Sequence, residues 1–221
     1  MKYANIKCFN LDADKEFVKK ALQNGINKCR LFDFNENQLF FISDYHEPEE
    51  FTINLVKVKL NDVLCKQIIK VINDTHKIVP SIKTSSEYES QNYDDQFPTK
   101  IESIVNSLVN TCLYEEWGLL KFLSHLLIRI ARAHAWHNGN KRTAIVSISR
   151  LLDLFGFYMI WASDNTQYIS TWESLMYKIV SPKDIKDEST LMKEDEAAKI
   201  VEQELSTSVW ISISAISSKK L

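Results

Sequence analysis

The residues best suited to chemistry in this chain crowd into one segment, His134-Ala-Trp-His-Asn-Gly-Asn-Lys-Arg-Thr-Ala144. Taken alone, His134 suggests little. It stands seven residues after Leu127, a spacing that keeps it on an apolar helical face, where a histidine is usually a satisfied core residue. The residues after it change the reading. Gly139-Asn140-Lys141-Arg142 opens a helical pattern, so backbone N–H groups, the positive end of a helix dipole and two cations are expected at one point. Lysine and arginine in a first turn oppose the macrodipole by roughly 0.3 to 1 kcal/mol each, a penalty that a bound polyanion removes. Gly139 lets the backbone turn tightly and approach a phosphate, Asn138 offers a carbonyl oxygen to a hard cation, and Lys141 and Arg142 bring charge. These are the residue types that a magnesium-nucleotide cradle requires.

Two apolar stripes should mount that segment. Leu119, Leu123, Leu126, Leu127 and Ile130 predict a buried helix from about Trp117 to Ala133, and Trp136 is expected to anchor the loop in the core. A second helix should start near Asn140, carry Ala144, Ile148, Leu151, Leu152 and Phe155 inward, and end at Gly156, where a positive φ is favoured. A leading helix begins with Val63, Leu64, Ile68, Ile69 and Val71, and the polar stretch 83–98 reads as a loop or short hairpin. Thr99 caps the next helix in this reading, with Glu102 completing a capping box and Ile101, Ile104, Val105, Leu108 and Val109 on the apolar face.

The first sixty residues read differently. Asp12–Asn24 suggests a short helix stopped at Gly25, QLFFIS at 38–43 a strand, and Phe51, Ile53, Val56, Val58 and Leu60 a second strand with one slip of phase. Beyond Pro182 the charge density rises, and Leu191, Ala197, Val201 and Leu205 allow an amphipathic helix before a tail that alternates apolar residues with Trp and Ser. The expected architecture is therefore mainly α. It comprises a small mixed α+β module over 1–60, a helical bundle over 61–182 that holds the site, and a charged helix and tail over 183–221.

A chain of 221 residues with 45% hydrophobic content can bury a full core without disulfides. Its net charge of −2 and pI near 6.2 supply no basic field for nucleic acid or an anionic membrane, so neither is expected as a partner. Cys8, Cys29, Cys65 and Cys112 form no Cys-x-x-Cys pair and no zinc spacing. With no long apolar run, a cytoplasmic protein with reduced structural thiols is the expectation. A hydrolase built on His125, His134 and His137 lacks the glutamate of a His-Glu-x-x-His pattern, and there is neither a Walker-type loop nor a nucleophile elbow.

The segment resembles the motif of the Fic/Doc (Fido) superfamily, His-x-Phe-x-(acidic)-(Gly/Ala)-Asn-(Gly/Lys)-Arg between two central helices. The Asn-Lys-Arg-Thr-Ala run is similar to that of its Doc, or death-on-curing, branch. The likeness covers about 61–182, including Phe155-Gly-Phe, and implies a Fic/Doc-type helical bundle. It implies that His134 is the general base that deprotonates a Ser, Thr or Tyr hydroxyl of a protein substrate. ATP is then the co-substrate, Mg2+ is held at the Asn138 position, and phosphate is bound by Gly139, Asn140, Lys141 and Arg142. Asn138 replaces the usual acidic residue and Trp136 the usual Phe. Lys141 and Ile145 stand where the adenylylating Fic branch has a glycine and a second arginine, which favours γ-phosphoryl transfer over AMPylation. The resemblance also implies a target-aligning flap before Thr99, with Tyr93 and Phe97 as candidate contacts. Residues 85–90 match the Fic inhibitory pattern poorly, so restraint by an antitoxin or by the N-terminal module is expected instead. A catalytically silent regulatory protein is the rival reading, to which Asn138 would point.

Overall fold

The computed structural model describes residues 2–25, 29–43, 49–81, 94, 97, 99–159, 166–180 and 192–211. In chain order the elements begin with β1 (Lys2–Cys8), α1 (Leu11–Gly25), β2 (Cys29–Asn35), β3 (Gln38–Ser43), β4 (Glu49–Lys57) and α2 (Asp62–Ile78), followed by a 3-10 turn, Val79–Ser81. Then come α3 (Lys100–Tyr114), α4 (Leu119–Arg132), α5 (Asn140–Phe155), β5 (Tyr158–Met159), α6 (Thr166–Val180), α7 (Glu194–Ser208) and β6 (Val209–Trp210). The protein is mainly helical with a small sheet, and among the described residues no helix is long and apolar enough to cross a membrane.

α4 forms the axis of the helical body because a broad apolar face of it is buried. Leu119, Phe122, Leu123, Leu126, Leu127, Ile128 and Ile130 are all fully buried. At about 1.5 to 3 kcal/mol per buried large side chain, this helix supplies a large share of the folding drive. α5 lies along it, burying Ala144, Ile148, Leu151, Leu152 and Phe155, and ends at Gly156 with φ of 95°. A Cβ on Gly156 would stand 2.9 Å from Ile6 Cδ1, so that glycine answers both to the backbone angle and to the approach of β1.

The N-terminal sheet has the order β1-β4-β3-β2, with β1 and β4 parallel and the other pairs antiparallel. Phe51, Ile53 and Leu55 alternate inward on β4, whereas Val56 is 43% exposed. β4 ends at Lys57, so the expected slip of phase is instead the end of the strand, with Val58 and Leu60 packed on the core from beyond it. The sheet and the bundle share one hydrophobic cluster. Phe9 meets Phe122 and Phe155 edge-on at centroid distances of 5.0 and 5.2 Å. Asp14, 1% exposed, accepts from the N–H groups of Phe9 (2.9 Å), Asn10 (3.3 Å) and, across 105 residues of chain, Leu119 (2.7 Å) at the start of α4.

The C-terminal elements close the seam between these parts. Arg129 Nε and His125 Nδ1 both lie 2.8 Å from Glu194 Oε1 in the first turn of α7. Asn24 Nδ2 donates to the carbonyls of Ser206 and Val209, and β6 pairs antiparallel with β5. Thr99 precedes α3 as expected, but its φ and ψ of −87° and −2° are helical and its side chain makes no cap bond, so the capping box does not form. The thiols of Cys8, Cys65 and Cys112 are buried and unpaired, and burial pushes the Cys112 thiol up to about 12, which leaves it inert as a nucleophile.

Candidate functional site

The loop that joins α4 to α5 is gripped at both ends. At the end of α4, Arg132 donates from Nε and Nη2 to the carbonyl of Ile179 (3.1 and 2.6 Å) and from Nη2 to that of Met192 (2.9 Å). This ties the last turn to the end of α6 and to the approach to α7. The helix stops there. His134 therefore does not continue the apolar face of Leu127: it has φ of 48° and its side chain is exposed. A spacing of seven carries a residue to the same face only while the helix lasts. A left-handed conformation costs a residue with a Cβ about 1 to 2 kcal/mol, and here it turns the imidazole outward while Ala135 and Trp136 return to the core.

Asn140 closes the loop. Its Oδ1 accepts from Trp136 N–H at 3.2 Å and its Nδ2 donates to Trp136 O at 2.7 Å, all within buried surroundings. The amide thus shapes the turn, and what Asn140 can offer a phosphate is the backbone at the helix start. Asn138 Oδ1 accepts from Gly139 N–H at 2.7 Å. Gly139 precedes α5 with φ of 81° and no side chain to cap it, and the first helical bond runs from Thr143 N–H to Gly139 O at 2.8 Å. Lys141 and Arg142 follow, both half-buried. Lys141 Nζ sits 4.3 Å from the centroid of the Tyr177 ring on α6, and desolvation there lowers its pKa from the usual lysine value.

Backbone bonds also join the expected flap to this loop. Phe97 N–H donates to Ala135 O at 3.0 Å and His137 N–H to Asp94 O at 3.2 Å, bracketing Trp136. The Phe97 side chain is 51% exposed. Tyr93 and residues 85–90 lie outside the described residues.

Two residues that sequence reasoning passed over belong to the same region. His76 on α2 stacks on Trp136, with ring centroids 4.0 Å apart and planes 10° apart, and its Nδ1 lies 2.9 Å from Thr143 Oγ1. Tyr177 faces Lys141. The spacing of His76 from Ile72 was visible as part of a helical stripe, but nothing in the sequence joins α2 or α6 to the motif. A cavity of about 470 Å³ lies elsewhere, at the opposite end of α4, among Asp14, Phe17, Trp117, Lys121 and Glu202. Within the motif, His134 and His137 are exposed.

Among the described residues no three His, Cys, Asp or Glu side chains gather into a metal-holding group. Asn138 brings one uncharged oxygen that already accepts a hydrogen bond, whereas magnesium is usually held by one or two carboxylates together with substrate phosphates. This donor set does not fit a magnesium ion on its own. What the arrangement can do is present an exposed imidazole beside a helix start that carries two cations. Neither the protein-family models nor the curated proteins compared with this chain give a match.

Proposed function

We propose that the chain is a Fic/Doc-like transferase that moves the γ-phosphoryl group of ATP to a Ser, Thr or Tyr hydroxyl of another protein. The observation that carries this reading is the outward-turned His134 on a tightly held loop, immediately ahead of an α5 start bearing Lys141 and Arg142. In the proposed step His134 takes the proton of the target hydroxyl, whose oxygen attacks the γ-phosphorus as the bond to the leaving ADP breaks. The α5 backbone, Lys141 and Arg142 receive the phosphates, which relieves the desolvation that now disfavours the Lys141 ammonium. ATP brings any Mg2+ on its own phosphates, with Asn138 adding at most a lone pair. Asp94 and Phe97, each bonded to the loop through its backbone, mark the edge along which an extended target would be held. A small antitoxin that covers this face would restrain the activity.

The bonded state of Asn138 Oδ1 favours a second reading, in which the same fold binds partners without transferring a group. Labelling of a cell lysate with ATP radiolabelled at either the γ or the α phosphate separates these readings. Label from the γ position alone is expected. Label from the α position alone would establish adenylyl transfer, and absence of both would favour the silent protein. In the same assay His134→Ala should lower transfer by about 10² to 10⁴-fold while leaving the thermal unfolding midpoint in place, and undiminished labelling would remove His134 from the mechanism.

A further inference from the structure

α2 carries a buried stripe at intervals of four, Leu64, Ile68 and Ile72, and the next position in that stripe is His76, itself only 7% exposed. An aliphatic side chain there would pack against α5 without taking an imidazole out of water. The imidazole instead reaches both sides of the loop that bears His134. Its face covers Trp136, and its Nδ1 meets the hydroxyl of Thr143, a fully buried residue in the first turn of α5. Trp136 in turn exchanges two hydrogen bonds with Asn140. One side chain from a third helix thus connects the segment just after His134 to the helix start expected to receive phosphate.

We propose that His76 is a positioning residue that clamps Trp136 to Thr143 and so sets the separation between the His134 imidazole and the anion-binding start of α5. Its effect on rate rests on the transferase reading, whereas the clamp is a property of the loop and can be measured without any reaction. Filling the core requires only the ring. The clamp requires Nδ1 as well, because the ring alone holds Trp136 and leaves Thr143, one turn into α5, tied to the loop only indirectly through the Asn140 bonds to Trp136. A displacement of about 1 Å between a base and a bound phosphate is enough to cost on the order of 10²-fold in rate.

Two substitutions in the full chain remove the bond while preserving shape. His76→Phe keeps a stacked ring without Nδ1, and Thr143→Val replaces the hydroxyl by a methyl group. Hydrogen exchange at the Trp136 amide, compared with that at Val201 in α7, reads the loop, and kcat and KM for ATP read the reaction. Each variant should speed Trp136 exchange by about tenfold relative to Val201, a local opening rather than a global one. Each should lower kcat by about 10- to 100-fold with KM for ATP within about threefold of the parent. The double variant should be no worse than the poorer single one, since one bond is lost once. If His76→Phe fails to fold, Thr143→Val carries the same comparison. Exchange at Trp136 and kcat both within about twofold of the parent, or additive losses in the double variant, would overturn the clamp. Faster exchange in a protein whose parent transfers nothing would sustain the clamp and sink the transferase reading.

Discussion

Replacing Asp14 with asparagine probes the seam between the first sixty residues and the helical body. The carboxylate caps its own stretch through Phe9 and Asn10 and the start of α4 through Leu119, yet burial outweighs those three bonds and pushes its pKa up to about 6 from an ordinary 3.8. The folded state therefore holds the Asp14 proton to a higher pH than the unfolded chain does. At 1.36 kcal/mol per pKa unit, this group contributes about 3 kcal/mol of stability that is fully present below about pH 4 and lost as pH rises through about 6. Asp14→Asn does not titrate. Its single oxygen also cannot serve all three donors, and an amide N–H group pointed at one of them adds a constant cost of about 1 to 3 kcal/mol. Urea unfolding of both proteins from about pH 4 to about pH 7, followed by tryptophan fluorescence, isolates the titration because every other group cancels in the difference. The parent's advantage over the variant should shrink by most of that 3 kcal/mol across the range, in a single cooperative transition. A difference that stays flat, or that grows with pH, would falsify the claim that burial dominates at this carboxylate. Two separate transitions would show that the sheet and the bundle unfold independently.

Two further outcomes bear on the loop. Asn140→Ala should destabilise the protein by about 2 to 5 kcal/mol in thermal unfolding and abolish transfer, because it leaves the buried N–H and C=O of Trp136 without partners; an unchanged midpoint would deny the latch. Asn138→Asp keeps the acceptor for Gly139 and adds negative charge ahead of α5, so it should raise stability by about 0.3 to 1 kcal/mol and lower the magnesium concentration needed for half-maximal transfer. A higher magnesium requirement would mean that no cation approaches residue 138.

The helices that mount the site were legible because their apolar stripes are long and strongly periodic. α5 runs from Asn140 to Phe155 and stops at Gly156 as the pattern predicts, and α4 differs by two residues at its start and one at its end. QLFFIS forms β3 with the expected bounds, and α1 ends at Gly25. β1 and β2 were not legible. Lys2–Cys8 holds only scattered apolar residues, and its place in the sheet comes from pairing with β4, about fifty residues away in the chain. Nor was α6, whose stripe of Trp172, Leu175, Met176 and Ile179 follows a stretch without clear helical punctuation. The expected cap by Thr99 failed for a local reason, since a helical backbone there directs the side chain away from the free N–H groups.

At the site, sequence alone determined which groups stand together: a histidine, a glycine turn and two cations at the start of a helix, adjacent because they are neighbours in the chain. It could also place the flanking helices, whose periodicity reports burial directly. Tertiary structure decided how those groups are aimed. His134 leaves the apolar face because α4 ends at Arg132, and that end is fixed by carbonyls of Ile179 and Met192 far along the chain. The Asn140 amide turns inward to Trp136, and Trp136 and Thr143 meet a histidine from α2. Orientation depends on packing partners remote in sequence, and a pattern read along one strand of chain carries no record of them.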